Sequence, residues 1–185
     1  KCDWSSDVCS SDLVTTSPLE QLFQRATETS RAVKNSTRLG ESGRSLVRLA
    51  VELATPRVGE WEDARVLLVG TGRYAAASLA ALRAVGARDI RVHSRSGRSR
   101  FAQREHLVPI NAADFAREAA EATVIVTCTT TTDRPVLTAE DHRAARADST
   151  AEQLIIDLGM PRNVDPGIRG LAGVELLDLD TIRVH

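Results

Sequence analysis

The sequence predicts a doubly wound parallel α/β fold over residues 59–185, and three features predict it. Short apolar runs alternate with stretches of helical spacing from Arg65 to Leu177, the pattern of a parallel sheet whose strands are joined by helices. The composition is 42% hydrophobic, chiefly Ala, Val and Leu, with only 3% aromatic, which suits buried strands covered by small-residue helices. The third feature is the turn Gly70-Thr71-Gly72-Arg73-Tyr74-Ala75, which follows an apolar run and opens a helical stretch.

Taken in order, the first strand is Arg65 to Val69, followed by a helix from Tyr74 to Val85 that Gly86 stops. A strand over Asp89 to His93 leads through a loop to a short helix at Phe101 to Glu105. The third strand, Val108 to Ile110, precedes an alanine-rich helix from Ala113 to Ala122. Val124 to Cys128 is the fourth strand, with a helix near Ala139 to Ala147 behind it. Leu154 to Asp157 is the fifth. Asp165 caps a helical turn at Pro166 to Arg169, and Val174 to Leu177 is the sixth. Right-handed crossovers then give a Rossmann-type sheet of order 3-2-1-4-5-6, with a ligand across the carboxyl ends of strands one and four.

Residues 17–58 read as linking helices. Ser17 caps a helix begun by Pro18, and Leu19, Leu22, Phe23 and Ala26 recur at helical spacing. Asn35-Ser36 and Gly40 to Gly43 are turn signals that break it. A second helix from Ser45 to Leu53 puts Leu46, Leu49, Ala50 and Leu53 on one face, and Pro56 ends it. Residues 1–16 are expected to be an unstructured leader: residues 1–13 repeat Ser-Ser-Asp, follow neither period, and resemble translated adapter sequence.

The formal net charge of −1 over 185 residues gives no electrostatic case for nucleic-acid binding by this segment. No apolar run approaches the ~20 residues of a membrane span. Cys2, Cys9 and Cys128 are an odd set with neither disulfide-framework nor metal-ligand spacing, and a reduced, cytoplasmic setting fits them.

The chemistry centres on the glycine turn. In Gly70-x-Gly72-x-x-Ala75 the first glycine permits the bend, the second lets backbone approach a pyrophosphate, and Ala75 lets helix and strand pack closely. Thr71, Arg73 and Tyr74 complete this candidate set, with helix N–H groups and the helix dipole favouring phosphate charge. Where an NAD site places an acid, the chain has His93-Ser94-Arg95-Ser96, followed by Arg98. Hydroxyls and a guanidinium suit a 2′-phosphate, so the expected cofactor is NADPH, held there by Ser94, Arg95 and Ser96. Thr129, in the run Thr129 to Thr132, is a candidate contact to the ribose or nicotinamide, and Gly159 and Met160 stand where the fifth strand meets the nicotinamide. Cys128 reads as a core thiol, and His106, His142 and His185 as surface residues. No catalytic residue and no metal ligand is assigned.

These residues carry a resemblance to the glutamyl-tRNA reductase family. Leu22 to Ala26, Gly40 to Ser45 and Ala50 to Ala54 resemble its segment leading out of the catalytic domain, and Val69-Gly-Thr-Gly72 its glycine turn. Ser94-Arg95-Ser96 stands where the family has Asn-Arg-Thr. Asp157-Leu-Gly-Met-Pro161-Arg162-Asn-Val-Asp165-Pro166 resembles its Asp-Leu-Ala-Val-Pro-Arg-Asp-Ile-Asp-Pro, and Leu177 to Ile182 its exit from the domain. The chain departs from the family at Arg73, where an acid is usual, and at Ala75, where a glycine is. The resemblance implies NADPH-dependent reduction of glutamyl-tRNA to glutamate-1-semialdehyde in tetrapyrrole (porphyrin) biosynthesis. It further implies a nucleophilic cysteine in a separate N-terminal domain and homodimerisation through C-terminal helices, neither matched within residues 1–185. The chain alone is therefore expected to bind NADPH and not to turn over. A shikimate-dehydrogenase-like NADP oxidoreductase is the alternative enzyme, though its lysine–aspartate pair is hard to build from Lys1 and Lys34. A non-catalytic nucleotide-binding module is the other.

Overall fold

A computed structural model describes residues 20, 22–26, 28–29, 39–95, 100–130, 134–147 and 149–184. The leader with Cys2 and Cys9, the Ser17-Pro18 cap, Leu19, Asn35-Ser36, Ser96, Arg98, Thr131, Thr132 and His185 lie outside them. The chain divides into two compact units, Lys1–Glu41 and Ser42–His185. In the first, residues 22–26 are helical (α1) and expose Leu22 and Phe23.

The second unit is built on β1 (Arg65–Val69), β2 (Asp89–His93), β3 (Val108–Ile110), β4 (Val124–Thr127), β5 (Gln153–Asp157) and β6 (Val174–Asp178). They form one sheet of order β3-β2-β1-β4-β5-β6 with every neighbouring pair parallel, as the alternation predicts. Central β4 and β5 are buried along their whole length, because helices cover both faces and leave no solvent side for an alternating pattern.

Side-chain alternation along β1 splits the core in two. Val66 and Leu68 join Val124, Val126 and Ile156 on one face, and Leu67 and Val69 join Ile125, Ile155 and Leu176 on the other. Helices α2 (Leu39–Val58), α3 (Arg73–Ala84) and α4 (Arg100–Glu105) bring Val47, Val51, Leu79, Leu82 and Phe101 to the first. To the second come Ala119 of α5 (Phe115–Glu121) and Ile168 of the 3₁₀ turn Pro166–Gly170. Helix α6 (Ala139–Arg146) follows Leu137 of the same cluster, and a last helix α7 (Leu179–Arg183), which the sequence reading does not anticipate, puts Ile182 in the first core.

Two expectations upstream need correction. Gly40 to Gly43 does not break the helix, and Pro56 does not end it: α2 runs unbroken from Leu39 to Val58. A helical glycine costs only about 1 kcal/mol against alanine, which burial of Val47, Ala50, Val51 and Ala54 along one stripe outweighs. Pro56 sits in the last turn, where side chains already engage the carbonyls: Thr55 Oγ1 donates to Val51 O (2.9 Å) and Arg57 to Leu53 O (2.6 Å).

His142 is also not a surface residue, being 1% exposed. Gln153 Nε2 donates to Ala119 O (2.8 Å) and Ala122 O (2.5 Å), so its Oε1 must accept, at 2.6 Å, from His142 Nε2. This fixes the neutral Nε2–H tautomer. His142 Nδ1 is buried with no partner among the described residues. Burial lowers the pKa of His142 below its usual 6.5, the Gln153 bond opposes that, and the Arg146 charge adds to it.

Above about pH 6.5 the imidazole is neutral in both folded and unfolded chains and its contribution is full. As pH falls below that, the unfolded chain takes up a proton that the fold resists, and stability drops. Denaturant midpoints should fall between about pH 8 and pH 5.5, and His142→Gln should flatten that part of the profile; an unchanged slope would remove His142 as its source.

Candidate functional site

Strand register levels the carboxyl edge of the sheet. Ile110, His93, Val69, Thr127, Asp157 and Asp178 pair in one continuous row across all the strands, and the segments leaving this row carry the predicted site. At its centre Gly70 adopts φ +131°, and a Cβ there would meet both the carbonyl oxygen and Sγ of Cys128 at 3.0 Å. Its N–H donates to His93 O (2.9 Å). Gly72 is the N-cap of α3 and is exposed, with nothing within 4 Å of where a Cβ would stand among the described residues.

Gly72 immediately precedes the first N–H groups of α3, which a helix cannot satisfy internally. No side chain caps them among the described residues, and the first turn holds no acid. Ala75 is fully buried in the first core, as its predicted packing role requires. Thr71 is half-buried, and Arg73 and Tyr74 are exposed. The Tyr74 ring passes over Gly43 of α2, where a Cβ would stand 3.3 Å from its Cζ and Oη. Gly43 is thus a close-approach glycine rather than a turn.

On the β2 side, Ser94 is half-buried and Arg95 exposed immediately beyond the row. His93 is buried, its Nδ1 is 2.9 Å from Ile110 O, and its ring lies 4.4 Å from that of Phe115.

On the β4 and β5 side a buried carboxylate organises the backbone. Asp157 Oδ1 accepts from Thr127 Oγ1 (2.8 Å) and Gly159 N (2.9 Å), and Oδ2 from Asn163 N (2.9 Å) and Val164 N (3.0 Å). Asn163 Oδ1 in turn accepts from Thr129 N (2.7 Å) and Oγ1 (3.0 Å), so the Thr129 hydroxyl points its proton at Asn163. A Cβ on Gly159 would overlap the Asn163 amide. Beyond it Met160, joined to Pro161 by a cis peptide, is 77% exposed. Met160, Pro161 and Arg162 line a cleft of about 430 Å³ together with Leu46, Asp157, Asp178, Leu179 and Arg183.

Asp178 is 4% exposed, and burial alone would raise its pKa. Donors from Thr181 N (3.0 Å) and Oγ1 (2.8 Å), with Arg169 at 3.0 Å, outweigh burial and hold it at about 2. Arg162 pairs with Asp180 and stands 3.7 Å from Asp178. Cys128 is a core thiol, as expected. Burial, with the Asp157 charge behind it, pushes its pKa up to about 12, and Sγ donates to Val69 O (3.4 Å). A thiol so protonated is no nucleophile at neutral pH.

The predicted residues thus fall into three groups along one edge: Gly70 to Ala75 at β1, Ser94 and Arg95 at β2, and Thr129, Gly159 and Met160 at β4 and β5. Sequence reading missed the supports, Asp157, Asn163, His93 and Gly43. Asp157 offered one signal, an acid ending an apolar strand with a glycine two residues on, where a carboxylate can collect successive N–H groups.

The family model described as Shikimate / quinate 5-dehydrogenase matches residues 52–184. The glutamyl-tRNA reductase of Clavibacter michiganensis subsp. michiganensis is 49% identical over 174 residues, covering 92% of this chain and 39% of that protein. That of Tropheryma whipplei (strain Twist) is 38% identical, covering 92% and 43%. The chain therefore spans about two-fifths of the length of these curated relatives. Among solved structures, glutamyl-tRNA reductase from Methanopyrus kandleri matches with TM-score 0.65 and 27% identity over 92% of this chain and 43% of that one. The nucleotide-binding domain of the Thermoplasma volcanium enzyme shares the fold at TM-score 0.53 and 20% identity, over 74% and 87%.

Asp157→Ala should strand three buried N–H groups at about 1 kcal/mol or more each, and so cost at least about 3 kcal/mol in denaturant unfolding. Gly70→Ala, strained in φ and blocked by the Cys128 backbone, should cost about 1–3 kcal/mol in the same measurement. Near-neutral values would show that neither constraint holds the edge.

Proposed function

The chain belongs to the shikimate / quinate 5-dehydrogenase domain family and, within it, stands with the glutamyl-tRNA reductases; from that premise we propose that it is the NADPH-binding domain of an enzyme reducing glutamyl-tRNA to glutamate-1-semialdehyde. The observation that carries the cofactor reading is that exposed Arg95 and the open α3 N-terminus at Gly72 leave the same sheet edge.

In this reading the Gly70–Gly72 backbone and the first N–H groups of α3 receive the pyrophosphate, and Arg73 adds a cation beside it. Ser94, Arg95 and Ser96 take the 2′-phosphate, which a carboxylate at this position would repel. Thr129, Gly159 and Met160 bound the nicotinamide end, with Asn163 and Asp157 fixing the backbone beneath. NADPH, when bound, supplies the hydride. The domain binds and orients the dinucleotide; Cys128 takes no covalent part, and the acyl-accepting thiol belongs to another part of the protein. Homodimerisation and a cytoplasmic setting complete the proposal. No helix among the described residues is long and apolar enough to cross a membrane.

The family model favours one second reading, reduction of a shikimate-like ketone by the same cofactor domain. Extended to a longer protein, the alternatives separate by substrate: reduction of glutamyl-tRNA supports the first, and of 3-dehydroshikimate the second.

Fluorescence titration should show NADPH binding more tightly than NADH, and Arg95→Ala should remove roughly tenfold of the difference, the worth of one charged hydrogen bond. Equal affinities in the unaltered chain would overturn the assignment. The 185-residue chain should not reduce glutamyl-tRNA; turnover would place the nucleophile within it.

A further inference from the structure

We propose that Asn163 is a positioning residue that makes Thr129 a pure hydrogen-bond acceptor, and that this acceptor takes the amino end of the nicotinamide carboxamide. The inference rests on the NADPH reading above and adds to it which end of the carboxamide the site selects.

Asn163 is fully buried and its amide is fixed in place. The backbone N–H donates to Asp157 Oδ2 (2.9 Å), and the backbone oxygen accepts from Val136 N (2.7 Å) and Leu137 N (3.2 Å). Nδ2 donates to Pro161 O (3.3 Å), and the amide lies so close beneath Gly159 that a Cβ there would overlap it. The two ends of an asparagine amide are told apart by their partners. The Thr129 N–H lies 2.7 Å from one end, and because an N–H can only donate, that end is the oxygen. The Thr129 hydroxyl lies 3.0 Å from the same oxygen. An amide oxygen can only accept, so the hydroxyl spends its proton there.

Thr129 has two donors, and Asn163 takes both. Its half-buried hydroxyl therefore offers a ligand lone pairs alone. Thr129 directly follows Cys128, the residue beneath the glycine turn, yet it differs from that turn in kind. N–H groups at a helix start welcome a phosphate, whereas an oxygen whose proton is committed elsewhere repels one. The ligand group that fits Thr129 is an N–H or O–H donor. In the NADPH reading Thr129, Gly159 and Met160 bound the nicotinamide end, and the Asn163 amide touches the first two. A carboxamide has an NH₂ end and a carbonyl end. A fixed acceptor takes the NH₂ and turns the carbonyl away, which sets the rotation of the carboxamide about its bond to the ring.

The test is calorimetric titration of the 185-residue chain with three probes. These are NADPH, its 3-acetylpyridine analogue, whose methyl ketone keeps the carbonyl and lacks the N–H, and adenosine 2′,5′-bisphosphate, which lacks the nicotinamide half. The unaltered chain should bind the analogue about fivefold more weakly than NADPH, the effect of one hydrogen bond. Thr129→Val, which keeps the branched shape and removes the hydroxyl, should weaken NADPH by that factor and close the gap to the analogue. It should leave the bisphosphate within about twofold. Asn163→Leu should also close the gap, because a hydroxyl released from Asn163 can donate to the ketone as well as accept from the amide. A merely structural role would weaken NADPH and the analogue alike and preserve their ratio. Equal affinities for these two in the unaltered chain overturn the proposal, since a Thr129 that donates, or that meets the ribose, would give that result. A gap that survives either substitution overturns it too, as does equal weakening of NADPH and the bisphosphate in Thr129→Val. Should a variant fail to fold, the unaltered chain decides by its through-hydrogen-bond coupling between Thr129 ¹⁵N and Asn163 ¹³Cγ. Its presence beside the fivefold gap supports the proposal, and its absence overturns it. A chain that binds neither NADPH nor the bisphosphate removes the cofactor reading, and this role with it. One that binds both but treats NADPH and the analogue alike removes this inference alone.

Discussion

The missing side chain at Gly70 is the constraint on which the carboxyl edge depends. The turn after β1 has to reverse direction directly over β4, and Cys128 stands so close that a Cβ would touch its carbonyl oxygen and sulfur. Because β1 is the strand at which the winding reverses, this is where crossovers leave on opposite faces and a crevice opens. The same closeness drives up the pKa of the thiol: packed beneath the turn, Cys128 is desolvated and faces the Asp157 charge. One contact thus fixes the binding turn and keeps the cysteine below it inert.

Asp157 does for β5 what Gly70 does for β1, by the opposite means. Where the turn depends on an absence, the segment after β5 depends on a buried charge that collects one hydroxyl and three N–H groups. A buried carboxylate is tolerable only when its lone pairs are this well engaged. Thr127, one strand over, supplies the hydroxyl, and Asn163 passes the organisation to Thr129. The polar groups at the β4 and β5 ends therefore form one network, and the backbone at Gly159 is held from below rather than by neighbours in sequence.

The sheet was legible because parallel strands buried on both faces must be apolar throughout, so Val66 to Val69, Val124 to Val126 and Leu154 to Ile156 announce themselves. The glycine turn was legible because the spacing of Gly70, Gly72 and Ala75 is itself a local pattern, although the contact that requires Gly70 comes from distant Cys128. What escaped depends on partners distant in sequence. Gly43 resembles a helix breaker until Tyr74 is seen lying across it. His142 sits among charged residues in sequence, and only its distance to Gln153 shows that it is buried and neutral. Helix α7 was missed for a related reason: its N-cap, Asp178, is also the last residue of β6, so strand and helix share a residue with no loop to mark the change.

Arg73 remains the feature least expected of a phosphate-binding helix. A cation in the first turn opposes the helix dipole, by about 0.3–1 kcal/mol at an exposed position. With neither an acid in that turn nor a side chain capping it among the described residues, the free N-terminus concentrates positive potential that nothing local neutralises. In the proposed NADPH reading, an arriving pyrophosphate would relieve that repulsion as it forms its own bonds. On that proposal the residue that slightly weakens the empty domain would strengthen the filled one, and the two effects would add in the ligand's stabilisation of the fold. A helix start of the acidic kind would reverse both signs, being steadier alone and a poorer anion site. Under the proposed function, the arginine at position 73 would therefore move stability from the free state to the bound one.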